Sequence, residues 1–147
     1  MTNHFIRACL FAFTVLLFSG CSGEPLPPGI PKLYPATLTV IQDGKPLAGA
    51  GVILTNVDPS SDWSAGGATD QNGVLKLRTL GRYDGAPVGT YRVSVQKIIE
   101  DNTFQVVDPK FARGVTELEV EITPRNFHFT VDVGPAVRIA LPPPPTG

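Results

Sequence analysis

The stretch GTYRVSVQ, residues 89–96, decides the fold. Tyr91, Val93 and Val95 alternate with Arg92, Ser94 and Gln96, which gives an extended strand one apolar and one polar face. A helix would need apolar residues recurring near every 3.6 positions, and this pattern does not provide them. The same alternation continues outward along the chain. In VLKLRTL, residues 74–80, Leu75 and Leu77 alternate with Lys76 and Arg78. In ELEVEI, residues 117–122, Leu118, Val120 and Ile122 alternate with glutamates, and FHFTVDV, residues 127–133, repeats the pattern with Phe127, Phe129, Val131 and Val133. Thr37 to Gln42, Gly51 to Val57 and a short strand near Gly67 to Thr69 bring the expected total to seven.

Turn residues connect these strands. Asp43-Gly44 and Asn72-Gly73 tolerate positive φ and so close tight connections. Thr123-Pro124-Arg125-Asn126 is expected to form the last hairpin turn. One wet and one buried face per strand is the mark of antiparallel sheets. The expectation is therefore an all-β, seven-stranded antiparallel sandwich, Ig-like or prealbumin-like, over residues 36–134. That length suits one domain with one core.

Residues 1–20 read as a secretory signal: Arg7 precedes the apolar run Ala8 to Phe18, which ends in Ser19-Gly20. This run is 11 residues long, short of the roughly 20 apolar residues that a membrane-spanning helix needs. Phe18-Ser19-Gly20-Cys21 resembles the lipobox of bacterial lipoproteins. The resemblance implies that Cys21 becomes the first residue after processing and carries a diacylglycerol through a thioether, so that membrane lipid is the first partner. Two or more acyl chains, at about 0.8 kcal/mol per buried methylene, would anchor a small domain firmly. Cys9 lies in the removed segment, so Cys21 is left alone and no disulfide can form within the processed chain. Ser22 after the cysteine resembles the sorting signal for an outer membrane, where one exists. Residues 21–35, with five of the 15 prolines, read as a tether, and residues 135–147, ending in PPPPTG, as a Pro-rich tail.

The string TVIQDGKPLAGAGVIL (39–54), then TDQNGVLKL (69–77), then PVGTYRVSV (87–95), resembles the carboxypeptidase regulatory-like and transthyretin-like sandwich domains of bacterial envelope proteins. The resemblance covers residues 36 to about 97, with Gly89-Thr90-Tyr91 and Asp70 to Gly73 its best motifs. Small lipoproteins of this type, mostly without an assigned activity, are similar also at Tyr83-Asp84-Gly85-Ala86-Pro87 and Lys110-Phe111-Ala112. The Asp-Pro-x-Thr-Ser that usually follows in them is missing here.

Charge and chemistry narrow the function. Loss of Arg7 on processing moves the formal net charge from −1 to −2, and the remaining Lys and Arg are scattered, which excludes a strong nucleic-acid binder. Transthyretin-like hydroxyisourate hydrolases use paired histidines, an arginine and a Tyr-Arg-Gly-Ser ending, whereas His128 is the one histidine outside the signal. It falls on the wet face of its strand and reads as a surface residue. Asp70-Gln71-Asn72-Gly73 starts like a calcium loop but lacks the later glutamate, so it reads as a turn. Glu117, Glu119 and Glu121 read as a solvated edge. No cofactor is implied.

Three aromatics are the candidate binding surface. Trp63 lies in the polar segment 58–67, where no strand pattern demands it, and Phe104 and Phe111 lie in the long irregular stretch 98–115. The expectation is a lipid-anchored, non-catalytic binding or structural module whose partner is an envelope protein or glycan. The alternatives are glycan recognition by the Trp63 loop or a small hydrolase using His128.

Overall fold

The computed structural model describes residues 25–143. Cys21, the signal segment and the last four residues lie outside the described residues. The first strands are β1 (Leu33–Tyr34), β2 (Thr37–Gln42), β3 (Lys45–Pro46), β4 (Gly51–Asn56) and β5 (Ser64–Ala68). Five more follow in β6 (Val74–Lys76), β7 (Arg78–Thr79), β8 (Tyr83–Asp84), β9 (Ala86–Pro87) and β10 (Gly89–Gln96). The remainder are β11 (Ile98–Ile99), β12 (Phe104–Gln105), β13 (Glu119–Ile122), β14 (His128–Asp132) and β15 (Ile139–Ala140). A single 3-10 turn, Pro109–Phe111, is the only helical element among the described residues.

Two sheets make an all-β sandwich. The first has the order β13-β10-β4-β5-β7-β8, and the second places β2 between β14 on one side and β3 and β6 on the other. Their facing sides carry Leu38 and Val40 from β2, Val52 and Leu54 from β4, and Tyr91, Val93 and Val95 from β10, all buried. The period-two reading of these strands therefore marks the core side correctly. Asp43 and Gly44, with φ of 52° and 70°, form the two-residue turn between β2 and β3. Both angles match the primed turn that follows the right-handed twist of a hairpin.

VLKLRTL, read as one strand, serves both sheets. Val74–Lys76 pairs with β2, whereas Arg78–Thr79 pairs with β5. Leu75, Leu77 and Thr79 all point inward, so the side-chain alternation is unbroken while the main chain changes partners. At the crossing, Leu77 N–H donates to Ala36 O at 2.9 Å and Leu77 O accepts from Gly85 N–H at 2.8 Å. A strand that switches sheets in this way makes a corner of the sandwich.

The Thr123–Asn126 turn forms, with Asn126 N–H donating to Thr123 Oγ1 at 2.9 Å, but it does not close a hairpin. It carries the chain from β13, at the edge of the first sheet, to β14 in the second. There β14 runs parallel to β2, with His128 opposite Thr37 and Asp132 opposite Ile41. The opposite side of β2 is already filled by β3 and β6, so Val131 and Val133 reach the core from the free side. The remaining pairs are antiparallel, apart from an isolated Arg78–Gly85 bridge.

Two small sheets extend the sandwich. Leu33–Tyr34, within the segment read as a tether, pairs with β9. Ile139–Ala140, within the segment read as a tail, pairs with β12, which also pairs with β11. The stretch 98–115 is thus partly ordered into strands. It then crosses the outer face of β10, where Thr116 Oγ1 donates to Val93 O at 2.9 Å and Ser94 becomes buried on the side expected to be wet.

Gly73 takes φ of 72°, and a Cβ there would lie 2.9 Å from Leu47 N, Pro46 Cβ and Val40 O. Gly73→Ala is expected to lower the thermal midpoint by an amount equivalent to about 2 kcal/mol or more, because no flexible side-chain end can yield. Leu77→Ala should cost about 3 kcal/mol in denaturant melts, through the cavity left between the sheets.

Candidate functional site

The three candidate aromatics do not form one surface. Asn56 pairs with Tyr91 at one end of the β4–β10 ladder, and Gly51 pairs with Gln96 at the other. Trp63 precedes the Ser64–Thr55 pair at the first end, whereas Phe104 lies on the small sheet that follows the second. Phe111 sits on the 3-10 turn and packs against the edge of the core.

At the first end, Tyr91 organises the structure. Its side chain is fully buried and its hydroxyl donates to Pro87 O at 2.9 Å, four residues back, which ties the loop before β10 to the strand itself. Such a tyrosine at a strand entry locks the corner of a sandwich. Burial pushes the phenol above its ordinary value, and the side chains of Trp63 and Asn56 offset part of that rise. Trp63 is half-buried, and its indole N–H, wholly shielded from solvent, makes no hydrogen bond of normal geometry. It lies beside Tyr91 at this end of the sandwich. The preceding loop is held by its own side chains: Asp58 N–H donates to Asn56 Oδ1 at 2.8 Å, and Ser60 gives both its N–H and its hydroxyl to Asp58 Oδ1. The two bonds from Ser60, the backbone one first, hold the Asp58 carboxyl below its ordinary pKa.

At the opposite end, Phe104 is half-buried beneath Arg138, whose guanidinium carbon lies 4.0 Å from the ring centroid. Arg138 also reaches Glu100 Oε2 at 2.7 Å. Glu100, Asp101 and Asn102 all have positive φ, between 50° and 67°, a left-handed turn that joins β11 to β12. Three successive non-glycine residues in that region store strain. Lys110 lies 5.1 Å over the Phe111 ring, and Asp108 Oδ1 accepts the Lys110 N–H at 2.9 Å. The crossing segment leaves a shallow groove over β4 and β10 whose walls include Thr55, Arg92 and Arg113.

The remaining sequence candidates are engaged locally. Asp70 Oδ1 accepts from Asn72 N–H and Val74 N–H, at 2.8 and 2.9 Å, as a turn requires. Glu119 pairs with Arg92 at 3.4 Å, across the register that sets them opposite each other on β13 and β10. His128 is exposed, its ring centroid 4.6 Å from that of Phe127, and its Nδ1 is hydrogen-bonded to Thr37 Oγ1. This hydroxyl–imidazole pair comes from the parallel β2–β14 register, which no local pattern in the sequence announces. Among the described residues, no third group orients the imidazole from its other nitrogen, and no set of N–H donors converges on the hydroxyl. Among the described residues, no three His, Cys, Asp or Glu side chains gather. No helix among them is long and apolar enough to cross a membrane.

No protein-family model matches the chain, and no curated protein matches it. Among solved structures, it is similar to BcpA, the major pilin subunit of Bacillus cereus, at 19% identity and a TM-score of 0.43. A variant of the same pilin gives 20% and 0.41. Each match covers 71% of this chain and 30% of the pilin, so the chain spans less than a third of those structures.

Tyr91→Phe should lose about 1–2 kcal/mol, because Pro87 O keeps its burial without its donor. A pH series separates this from packing. A phenol raised above its ordinary value of about 10 contributes stability that is complete below that pH and is lost as pH rises through the folded-state value. The wild type should therefore lose stability more steeply above pH 10 than Tyr91→Phe.

Proposed function

We propose that this chain is an exported, lipid-anchored β-sandwich module that acts by binding or building, without catalysis. The observation that carries the reading is the engagement of its reactive side chains within the sandwich. Tyr91 is tied to Pro87, Asp70 to its own turn and His128 to Thr37. The aromatics Trp63 and Phe104 serve opposite ends. A site for chemistry needs such groups to converge on one reacting atom.

The anchor is supported by the order of features in the sequence: an apolar run, small residues, Cys21, then a Pro-rich segment leading into an ordered domain. Residues 36 to about 97 resemble carboxypeptidase regulatory-like and transthyretin-like domains, which supports an envelope role. On this reading Cys21 attaches the chain to a membrane, residues 22–32 hold the domain away from it, and the sandwich meets an envelope protein or glycan.

Membrane fractionation of expressing cells tests the anchor. Wild type should need detergent for release, and Cys21→Ala should move to the soluble fraction while keeping the wild-type thermal midpoint. An ester and amide hydrolysis screen tests the second half of the reading. Turnover by pure protein that disappears in both Thr37→Val and His128→Ala would contradict it, and no turnover above buffer is expected.

A further inference from the structure

The two sides of the sandwich are unlike. One is closed by the strand that switches sheets at Leu77, and the other leaves two strand edges open, β13 and β14, joined by the Thr123–Asn126 turn. Open edges invite pairing with another chain, and proteins blunt them with charge, proline or short length. The β13 edge carries Glu119 and Glu121, and the edge strands β3 and β8 have two residues each. By contrast, β14 is five residues long, His-Phe-Thr-Val-Asp, with neither lysine nor proline.

The register defines what β14 presents. Thr37 N–H donates to Phe127 O and Val133 N–H donates to Ile41 O, so the odd-numbered residues turn their main chain toward β2. His128, Thr130 and Asp132 therefore point their N–H and C=O groups away from the sheet, and among the described residues these groups have no partner. Their side chains are exposed.

We propose that this edge binds a second copy of the chain, β14 pairing antiparallel with β14 about a twofold axis through Thr130. The row is complementary to itself in that register alone. His128 faces the partner's Asp132, Thr130 faces the partner's Thr130, and Asp132 faces the partner's His128. An imidazole–carboxylate hydrogen bond and Thr–Thr contacts are favourable cross-strand pairs. All three facing pairs join residues whose main chain points outward, which gives about six hydrogen bonds, two per pair. With Nδ1 of His128 held by Thr37, its other ring nitrogen is left for the carboxylate. Asp132 Oδ1 accepts from Gly134 N–H at 2.8 Å, leaving the second oxygen to the imidazole. On the inner face, half-buried Phe129 gains the partner's Val131 as its neighbour, so the two second sheets become one. The interface does not depend on the anchor at Cys21.

Light scattering and sedimentation of the full chain in mild nonionic detergent, from about 10 μM to about 1 mM protein, test this directly. The protein mass should rise from one chain to two. Thr130→Pro removes an outward N–H and no bond to β2, and should remain one chain throughout. Thr130→Lys, which sets two cations on the axis without altering the main chain, should do the same at an unchanged thermal midpoint. His128→Asp should weaken pairing at least several-fold, and adding Asp132→Lys should restore it. A wild type that stays one chain at the highest concentration overturns the proposal. So does a dimer that survives both Thr130 variants, or pairing of β14 with some other protein in place of its own copy.

Discussion

The hydrogen bond from Leu77 N–H to Ala36 O, with the Leu77 side chain between the sheets, is the constraint on which the rest depends. Each sheet has one apolar side and gains little until the other covers it, at roughly 25 cal/mol per Å² of apolar surface removed from water. The strand through Leu77 makes that covering obligatory, because one alternating segment belongs to both sheets. Its inward residues Leu75, Leu77 and Thr79 lie in a single buried line, and Thr79 Oγ1 donates to Gly85 O at 2.8 Å to satisfy its burial. Once the sheets are joined there, β8 and β9 follow within a few residues and set Tyr91 at the entry to β10.

That closure places the chemistry of the molecule. Tyr91 locks one end with Trp63 beside it, the Phe104–Arg138–Glu100 group braces the other, and the segment 106–116 covers part of the outer face of β10. Among the described residues, few polar side chains converge on one point. The accessible features are therefore of another kind: an open strand edge on β14, a groove beside Arg92 and Arg113, and a domain preceded by a Pro-rich segment. These suit a protein that is displayed and contacted.

Much of the sandwich is legible in the sequence, because side-chain period and turn residues are local signals. The alternation in 37–42, 91–96 and 127–133 identifies the buried faces, and Asp43-Gly44 identifies its hairpin. Partner choice is a different matter. Leu75 and Leu77 alternate in the same way whether their strand stays in one sheet or crosses to another, so the crossing leaves no mark on periodicity. The Thr123–Asn126 turn reads as a hairpin for the same reason, although its two strands separate into different sheets. The short pairings of Leu33–Tyr34 and Ile139–Ala140 lie in proline-rich surroundings whose composition suggests extended chain. Of the site, Tyr91 could have been found as a lone tyrosine entering an alternating strand after Pro-x-Gly. The Thr37–His128 contact could not, since it joins residues 91 positions apart through a parallel register.

The proposed place of this sandwich at the end of a lipid anchor is tested most directly by the chemical state of Cys21. Mass spectrometry of the N-terminal peptide, taken from protein extracted from membranes of the producing cells, should show a chain beginning at Cys21 with a diacylglyceryl thioether. An N-terminus at any other residue, or an unmodified Cys21 thiol, would contradict it.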